Sequence, residues 1–444
     1  MGPERAVTRW LRRASPTAFS AYAIIAAFAV YFCMYAFRKP FTAGKFEGDA
    51  VDIGIGVLGL KALLIVSQVL GYTVSKFLGI KVVSELSGRN RALAVVVLIL
   101  IAELALVLFS VTPAPWSAIW LFFNGLPLGM IWGLVFGFLE GRRTTEALGA
   151  GLSASYIVAS GVVQAIGRYV MRDWGVSEEA MPFVVGALFF LPMVFFVWLL
   201  AQLPPPSDKD EALRTKRAPM MASDRSAFFK AFLPGLLPLV LLHFVLTAYR
   251  GVRDDFAPEI WGALGFDHEP AILATTQIPV ALGVLVFLGL LMLVRDNRRA
   301  VLTVQGLMLG GSALVGLATL AFDAGLIAPE VWMIAVSLGL YVAYVPFGSM
   351  LFDRLIAATG WIGTAGFMIY VTDAVGYLGQ VAVTSYRYLG AKDLSWLDFF
   401  RGLSYATSIV CVASFAIALV YFAKRARPRA AVAAVAPAEA APPA

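Results

Sequence analysis

The stretch Tyr31–Phe41, YFCMYAFRKPF, ends the first long apolar segment of the chain and places Arg38 near the end of that segment. A similar stretch, Leu246–Arg250, LTAYR, ends another apolar segment about two hundred residues later. A charged side chain in or near a bilayer core is costly, so by default it indicates a functional group. Two arginines at matching depths in two halves therefore predict one site at the interface of a duplicated transporter.

The composition excludes a soluble globular protein. Of the 444 residues, 60% are hydrophobic and only 14% are charged. Segments of about 20 apolar residues recur along the chain, which is the length that spans a bilayer as an α-helix. The formal net charge of +7 comes from lysines and arginines at the ends of these segments, so we expect the lipid bilayer, and no nucleic acid, as the surrounding partner.

The titratable residues show no pattern typical of an enzyme or a metal site. Cys33 and Cys411 both lie in apolar segments, and the two histidines, His243 and His268, lie apart in the sequence. We find no Ser/His, Cys/His or paired-carboxylate motif and no metal-ligand spacing. We therefore predict a protein that is not an enzyme and that has no cofactor and no metal.

The apolar segments predict an all-α membrane protein with twelve transmembrane helices. Connections after even-numbered segments are rich in lysine and arginine, whereas those after odd-numbered segments are poor in them or acidic. By the positive-inside rule, both termini are expected in the cytoplasm and the protein in the cytoplasmic (inner) membrane. The predicted spans are residues 18–41, 53–78, 91–111, 116–139, 147–171, 180–202, 229–251, 270–294, 299–322, 329–353, 361–386 and 398–423.

A proline-rich break divides the chain into two halves. Pro204–Pro206 ends the sixth span, and a polar stretch follows it. We predict an N-terminal six-helix half at 1–203, a cytoplasmic linker at 204–227 and a C-terminal six-helix half at 228–427. The Ala/Pro-rich tail at 428–444 is predicted to be disordered.

Three short stretches resemble the organophosphate:phosphate antiporter branch of the major facilitator superfamily. They are YAFRKPF at Tyr35–Phe41, GYTVSKFLG at Gly71–Gly79, and Arg250 followed by DFAP at Asp255–Pro258. A fourth stretch, NGLPLGMIW at Asn124–Trp132, is similar to another run of that branch.

The turn after the second span, Gly79–Arg91, also resembles the loop signature of the superfamily. It departs from that signature at Glu85, which stands for an aspartate, and at Leu86, which stands for an arginine. The superfamily resemblance implies twelve helices in two pseudo-symmetric six-helix halves.

The resemblance to the branch implies a set of substrate-binding residues. In that branch two arginines clamp phosphate, and a lysine and a histidine flank it. Carried over by motif, these positions are Arg38, Arg250 and Lys76, and alignment on Gly161 places Tyr156 where the branch has its histidine. Guanidinium groups bind phosphate or carboxylate bidentately, and lysine adds a compact charge.

Each of these basic residues also has a structural interpretation. Arg38 is close enough to a helix end to extend to the membrane surface, Arg250 is close to the acidic residues Asp254 and Asp255, and Lys76 has the position of a surface anchor. The sequence leaves both interpretations open for each residue. We favour the anion site because the three residues fit one family motif together.

Other polar residues fall within predicted spans. Lys61, Glu103 and Asp373 are candidates for the transport pathway or for proton coupling, or are structural partners within the bundle. His243 is a pore residue or a packed aromatic residue. Four tyrosines lie on the same two apolar segments as the arginines, as part of a helix-spaced aromatic stripe that is typical either of a site or of a core: Tyr22, Tyr31, Tyr35 and Tyr249.

These features predict a monomeric secondary active transporter, an antiporter of a small anion that works by alternating access. The resemblance implies phosphate or a phosphorylated metabolite as the substrate. Two alternatives remain. One is a proton-coupled symporter of a carboxylate or a sugar acid, and the other is a membrane sensor of sugar phosphates that does not transport them.

Overall fold

The structure is a computed structural model that describes residues 6–46, 50–52, 57–86, 88–142, 144–206, 222–294, 296–359 and 365–425. These residues are almost entirely α-helical. Most of the predicted linker (204–227) and the whole predicted tail (428–444) lie outside the described residues.

The first half contains a short helix and six long ones. They are α1 (Ala6–Arg13), α2 (Pro16–Tyr35), α3 (Leu60–Glu85), α4 (Gly88–Val111), α5 (Ala118–Phe136), α6 (Thr145–Trp174) and α7 (Met181–Leu200). Between α2 and α3 lie a 3-10 turn, Pro40–Ala43, and two strands, β1 (Ala50–Asp52) and β2 (Val57–Gly59). The strands pair antiparallel, with Val51 opposite Leu58.

The second half repeats this arrangement with additional short helices. Its helices are α8 (Ala222–Asp255), α9 (Ala257–Ala263), α10 (Ile272–Thr275), α11 (Gln277–Met292), α12 (Asn297–Asp323), α13 (Pro329–Ser349), α14 (Leu351–Thr359), α15 (Ala365–Leu389) and α16 (Trp396–Arg425).

Within the described residues, 11 helices are long and apolar enough to span a membrane. The remaining predicted span, 361–386, corresponds to α15, which is a helix of 25 residues that carries Asp373 and Arg387. The prediction of an all-α integral membrane protein is confirmed.

Two predicted span boundaries differ by more than five residues from the spans of the structure. The first span ends at Tyr35 rather than at residue 41, and a 3-10 turn begins at Pro40. The second span begins at Leu60 rather than at residue 53, because the preceding apolar residues form the β1–β2 hairpin. Helix α8 begins at Ala222, but the part of it that can span a membrane begins at Lys230, in agreement with the predicted start at residue 229.

Small residues bring α3 and α5 into backbone contact. A Cβ atom added to Gly71 would lie 2.1 Å from the Phe122 carbonyl oxygen, and one added to Gly125 would lie 2.2 Å from that of Gln68. Side chains larger than hydrogen are excluded at both positions, as in other tightly packed membrane helices. This packing brings Gln68 and Asn124 together beneath the end of α2.

The two halves contact each other at both ends of the bundle. We call the end at which α2 stops the outer face, and the end at which α2 begins the inner face. At the outer face Lys39 forms an ion pair with Asp255, and Lys61 forms one with Glu259. At the inner face the guanidinium of Arg354 binds both carboxylate oxygens of Glu146, each at 2.9 Å. These contacts enclose a space between the halves.

Another contact between the halves lies at the outer face, where Arg168 Nη1 is 3.4 Å from Asp267 Oδ1. Partial burial alone would raise the pKa of Asp267. The nearby cations Lys45 and Arg168 outweigh this effect, so its pKa lies below the ordinary value. Asp267 is therefore an anion that helps to hold the outer ends of the halves together.

Candidate functional site

A cavity of about 50 Å³ lies between the two halves, with room for a few water molecules. It is lined by six tyrosines, three cations, a carboxylate and a histidine, together with small and apolar residues. The first half contributes Tyr31, Tyr35, Arg38, Tyr72, Lys76, Trp132, Ser153 and Tyr156, and the second half contributes His243, Arg250, Tyr344, Gly348, Ile369, Asp373 and Tyr377.

Arg38 faces this cavity because α2 stops inside the bundle. The helix ends at Tyr35, and the Arg38 amide donates a turn hydrogen bond of 3.0 Å to the Tyr35 carbonyl oxygen. Pro40, two residues later, has no backbone N–H and begins the following 3-10 turn. The Arg38 side chain is only 3% exposed, so it lies inside the bundle and does not extend to the membrane surface.

Two buried amides hold the backbone beside Arg38. The Nε2 atom of Gln68 donates to the Arg38 carbonyl oxygen at 2.9 Å and to Asn124 Oδ1 at 2.8 Å. Asn124 Nδ2 in turn donates to the Phe37 carbonyl oxygen at 3.0 Å. The sequence motifs did not assign this role to either amide, although a polar side chain within a transmembrane helix is itself a signal.

Arg250 reaches the same cavity from the second-last turn of α8, which ends at Asp255. The nearby acids have other partners, since Asp254 forms an ion pair of 2.7 Å with Arg253 and Asp255 pairs with Lys39. Asp255 also accepts a hydrogen bond of 2.6 Å from Gln380. Arg250 is therefore not the partner of either acid.

Each arginine lies over a tyrosine ring. The guanidinium carbon of Arg38 is 4.1 Å from the ring centroid of Tyr72, and that of Arg250 is 4.5 Å from the centroid of Tyr344. Such cation–π contacts orient a guanidinium and leave its N–H edge available. Among the described residues, neither guanidinium lies within ion-pair distance of a carboxylate.

Lys76 and His243 meet at a shared carboxylate in the cavity. Lys76 Nζ lies 3.2 Å from Asp373 Oδ2, and His243 Nε2 lies 3.2 Å from Asp373 Oδ1. The imidazole stacks on Tyr344 with ring centroids 5.0 Å apart, and no described residue forms a hydrogen bond with its Nδ1. Lys76 is thus a cavity residue rather than a surface anchor, and His243 is both packed and in contact with the polar site.

The described lining residues are net positive. Arg38, Arg250 and Lys76 are cationic and Asp373 is anionic, which leaves a net charge of +2 when His243 is counted as neutral. The predicted substrate-binding cations therefore lie in one place, and Asp373, predicted as a pathway residue, lies with them. Their role in binding stays a prediction.

Tyrosines complete the wall of the cavity. Tyr156, at the position that alignment matched to a histidine, is in ring contact with Tyr31 of its own half at 6.4 Å and with Tyr341 of the other half at 6.3 Å. Sequence reasoning missed Tyr344 and Tyr377, because neither belongs to a family motif.

Two of the four tyrosines considered as site candidates lie elsewhere. The Tyr22 hydroxyl donates to the Leu199 carbonyl oxygen at 2.9 Å, and the Tyr249 hydroxyl lies 2.8 Å from Ser404 Oγ. Both are packing residues within their own half, whereas the other two candidates, Tyr31 and Tyr35, line the cavity.

Lys61 and Glu103 do not line the cavity. Lys61 lies at the outer face, where it donates to the Thr42 carbonyl oxygen at 2.8 Å and pairs with Glu259. Burial raises the pKa of Glu259 even though Lys61 acts to lower it. Glu103 lies between α4 and α7, and a Cβ atom on Gly186 would be 2.2 Å from its Oε2.

Sequence comparison identifies the family. Residues 40–425 match a family described as "Family of unknown function (DUF5690)". The chain belongs to this family. No curated protein matches its sequence.

Solved structures resemble this DUF5690 protein over almost its full length. A D-xylose-proton symporter matches with a TM-score of 0.57 at 15% sequence identity, covering 94% of this chain and 99% of that chain. A POT family transporter in complex with a thioalcohol-conjugated peptide matches with a TM-score of 0.56 at 14% identity, covering 92% and 97%. A POT family transporter in complex with 5-aminolevulinic acid also has a TM-score of 0.56, at 13% identity, covering 92% and 97%.

These neighbours confirm the predicted major facilitator fold for the DUF5690 chain. At such low identity they establish the fold alone, and none of them is an organophosphate antiporter. Within the described part of the DUF5690 chain, no group of three or more His, Cys, Asp or Glu residues is arranged to hold a metal ion. The described side chains that line the cavity offer guanidinium, ammonium, imidazole, carboxylate and phenol groups.

Proposed function

We propose that the protein is a secondary transporter of a small anion and that it catalyses no covalent reaction. The observation that carries the proposal is a pair of buried guanidinium groups, Arg38 and Arg250, that enter one cavity from opposite halves. No carboxylate of the described residues pairs with either of them. An uncompensated buried charge is strongly destabilising. Two of them in one place are most simply explained by an anion that binds between them.

The charge of the cavity favours a dianion. A net charge of +2 on the described lining residues matches a phosphate monoester, which carries about −1.5 to −2 charges near neutral pH. Each guanidinium offers a planar fork to two phosphate oxygens. Phosphate or a phosphorylated metabolite is thus the substrate class that we propose, in agreement with the motif resemblance.

Binding of the anion would be linked to movement of the halves. Arg38 belongs to one half and Arg250 to the other, so closure around an empty site brings two cations together in a medium of low dielectric constant. A bound dianion removes this repulsion and lets the halves rock around the site. Return of the empty transporter is opposed, which favours exchange of one anion for another.

The test is anion exchange in proteoliposomes. Vesicles loaded with phosphate are expected to take up labelled phosphate, glycerol phosphate or a sugar phosphate, and to lose this uptake in Arg38→Gln and in Arg250→Gln. Arg387→Gln is the matched control, because this buried arginine donates to the Ala391 and Leu394 carbonyl oxygens and does not line the cavity. Uptake that survives both cavity substitutions contradicts the proposal.

A second candidate function is proton-coupled symport of a carboxylate or a sugar acid. It is favoured by Asp373, a carboxylate that contacts both Lys76 and His243 within the cavity, since proton relays in membranes are built from such groups. A pH-sensitive dye inside the vesicles distinguishes the two functions. Symport acidifies the lumen upon substrate addition and requires Asp373, whereas anion exchange does neither.

We also propose that the protein is a monomer in the cytoplasmic membrane with its inner face toward the cytoplasm. The basic residues Arg9, Arg12 and Arg13 precede α2 at this face, and Lys424 and Arg425 end α16. Lysine and arginine are enriched on the cytoplasmic side of membrane proteins, which supports this orientation.

A further inference from the structure

A groove on the surface of the first half is separate from the central cavity. It lies between the start of α4 and the end of α7, and α1 covers one side of it. Its volume is about 490 Å³, and its wall is formed mainly by apolar side chains such as Leu93, Val197 and Trp198. Leu93 and Trp198 are 63% and 44% exposed, as expected for side chains that face lipid tails.

The helix beside the groove is amphipathic and basic. In α1, Leu11 is 2% exposed and Trp10 is 53% exposed, while Arg9, Arg12 and Arg13 all lie on the exposed side. Trp10 contacts the Tyr22 ring of α2 with centroids 6.2 Å apart, which fixes α1 against the bundle. A basic amphipathic helix with an exposed tryptophan is typical of the membrane–water interface.

A buried amide lines the groove without a complete set of hydrogen bonds. Gln202, just beyond the end of α7, is 1% exposed, and its Nε2 donates to the Trp198 carbonyl oxygen at 3.0 Å. Among the described residues, its Oε1 has no hydrogen-bond partner. An unsatisfied buried acceptor is costly, so this oxygen is suited to an O–H or N–H donor from a bound molecule.

We propose that the groove binds one anionic phospholipid whose headgroup carries a hydroxyl or ammonium donor. The acyl chain occupies the apolar wall, the phosphodiester lies near the arginines of α1, and the headgroup donor reaches Gln202 Oε1. The charge of α1 selects an anionic lipid, because basic residues at a membrane surface attract anionic headgroups. None of the described residues that line the groove is acidic.

Native mass spectrometry of the purified full-length protein tests the site, with phosphatidylglycerol and phosphatidylcholine as probes. Phosphatidylcholine is zwitterionic and its headgroup has no donor. We expect one retained phosphatidylglycerol per protein and at least fivefold less retained phosphatidylcholine. Arg9→Gln combined with Arg13→Gln is expected to reduce retention of phosphatidylglycerol roughly 30-fold, since each basic residue near the membrane surface contributes about 1 kcal/mol. Gln202→Leu is expected to weaken retention severalfold.

A space-filling variant separates this site from general lipid coating. Ala201→Trp fills the groove, and we expect this variant to lose the retained lipid. Leu317→Trp adds the same side chain at an exposed position of α12, and we expect this control to retain the lipid as before. Ala92→Trp fills the groove from α4 and serves if Ala201→Trp does not fold. Equal retention in the filled and control variants, or equal retention of both lipids, overturns the proposal.

Discussion

Replacing the two cavity arginines by lysine is the sharpest test of the anion site. Arg38→Lys and Arg250→Lys keep the positive charge of the cavity but remove the planar fork that binds two oxygens at once. They also remove the guanidinium planes that lie over Tyr72 and Tyr344 at 4.1 and 4.5 Å. Binding of a tetrahedral dianion is therefore expected to weaken although the net charge is unchanged.

The expected magnitude follows from the lost hydrogen bonds. A hydrogen bond to a charged group contributes about 1.5–3 kcal/mol, so each single substitution should weaken binding by roughly 10- to 150-fold. The two losses should not add, because both arginines hold the same ligand and the first substitution already changes its position. A coupling energy of about 0.5–3 kcal/mol between the two sites is expected.

The assay is a double-mutant cycle on phosphate-induced thermal stabilisation, repeated on phosphate counterflow in liposomes. Without ligand, both site variants should be about as stable as the parent, since neither guanidinium has a carboxylate partner to lose. Arg387→Lys is the matched control. This buried arginine donates to two carbonyl oxygens at 2.8 and 2.7 Å. Its substitution should therefore lower the stability of the protein and leave ligand binding unchanged.

The reasoning is refuted if the lysine variants bind phosphate normally, or if their effects are independent and small. Either result would mean that the two arginines do not hold one anion. A loss of binding in the control variant as well would show that the assay reports stability rather than contact with the ligand.

Three further predictions concern neighbouring features. Lys76→Gln should leave the protein folded and weaken anion binding by about tenfold, because one charge is lost next to Asp373; unchanged affinity in a thermal-shift titration would mean that Lys76 serves Asp373 alone. Gln68→Leu should destabilise the protein by about 1–3 kcal/mol through unpaired buried groups, and should also lower phosphate affinity; denaturation and titration on the same sample test whether both effects occur. Single cysteines placed within 204–227 should react with impermeant reagent only from the cytoplasm, and a cysteine at Asp267 only from outside; reversed labelling would invert the proposed orientation.

The sequence by itself determined the class of fold. Recurring apolar segments of spanning length permit only a helical membrane protein, since backbone polar groups must be satisfied within each segment. The sequence also indicated the depth of Arg38 and Arg250, because the position of a residue within a span gives its height along the helix. The division at Pro204 and the two related arginine stretches led to the duplicated architecture.

Only the tertiary structure decided which of the polar residues meet. Periodicity gives height along a helix but not the rotation of the helix or the identity of its neighbours. For this reason Lys61, Glu103 and Asp373 were equivalent in the sequence, although only Asp373 contacts Lys76 in the cavity. The role of Gln68 depends in the same way on backbone contact between α3 and α5, which places its amide against the Arg38 carbonyl oxygen. Such contacts join residues that are far apart in the chain, so they cannot be predicted from the local sequence.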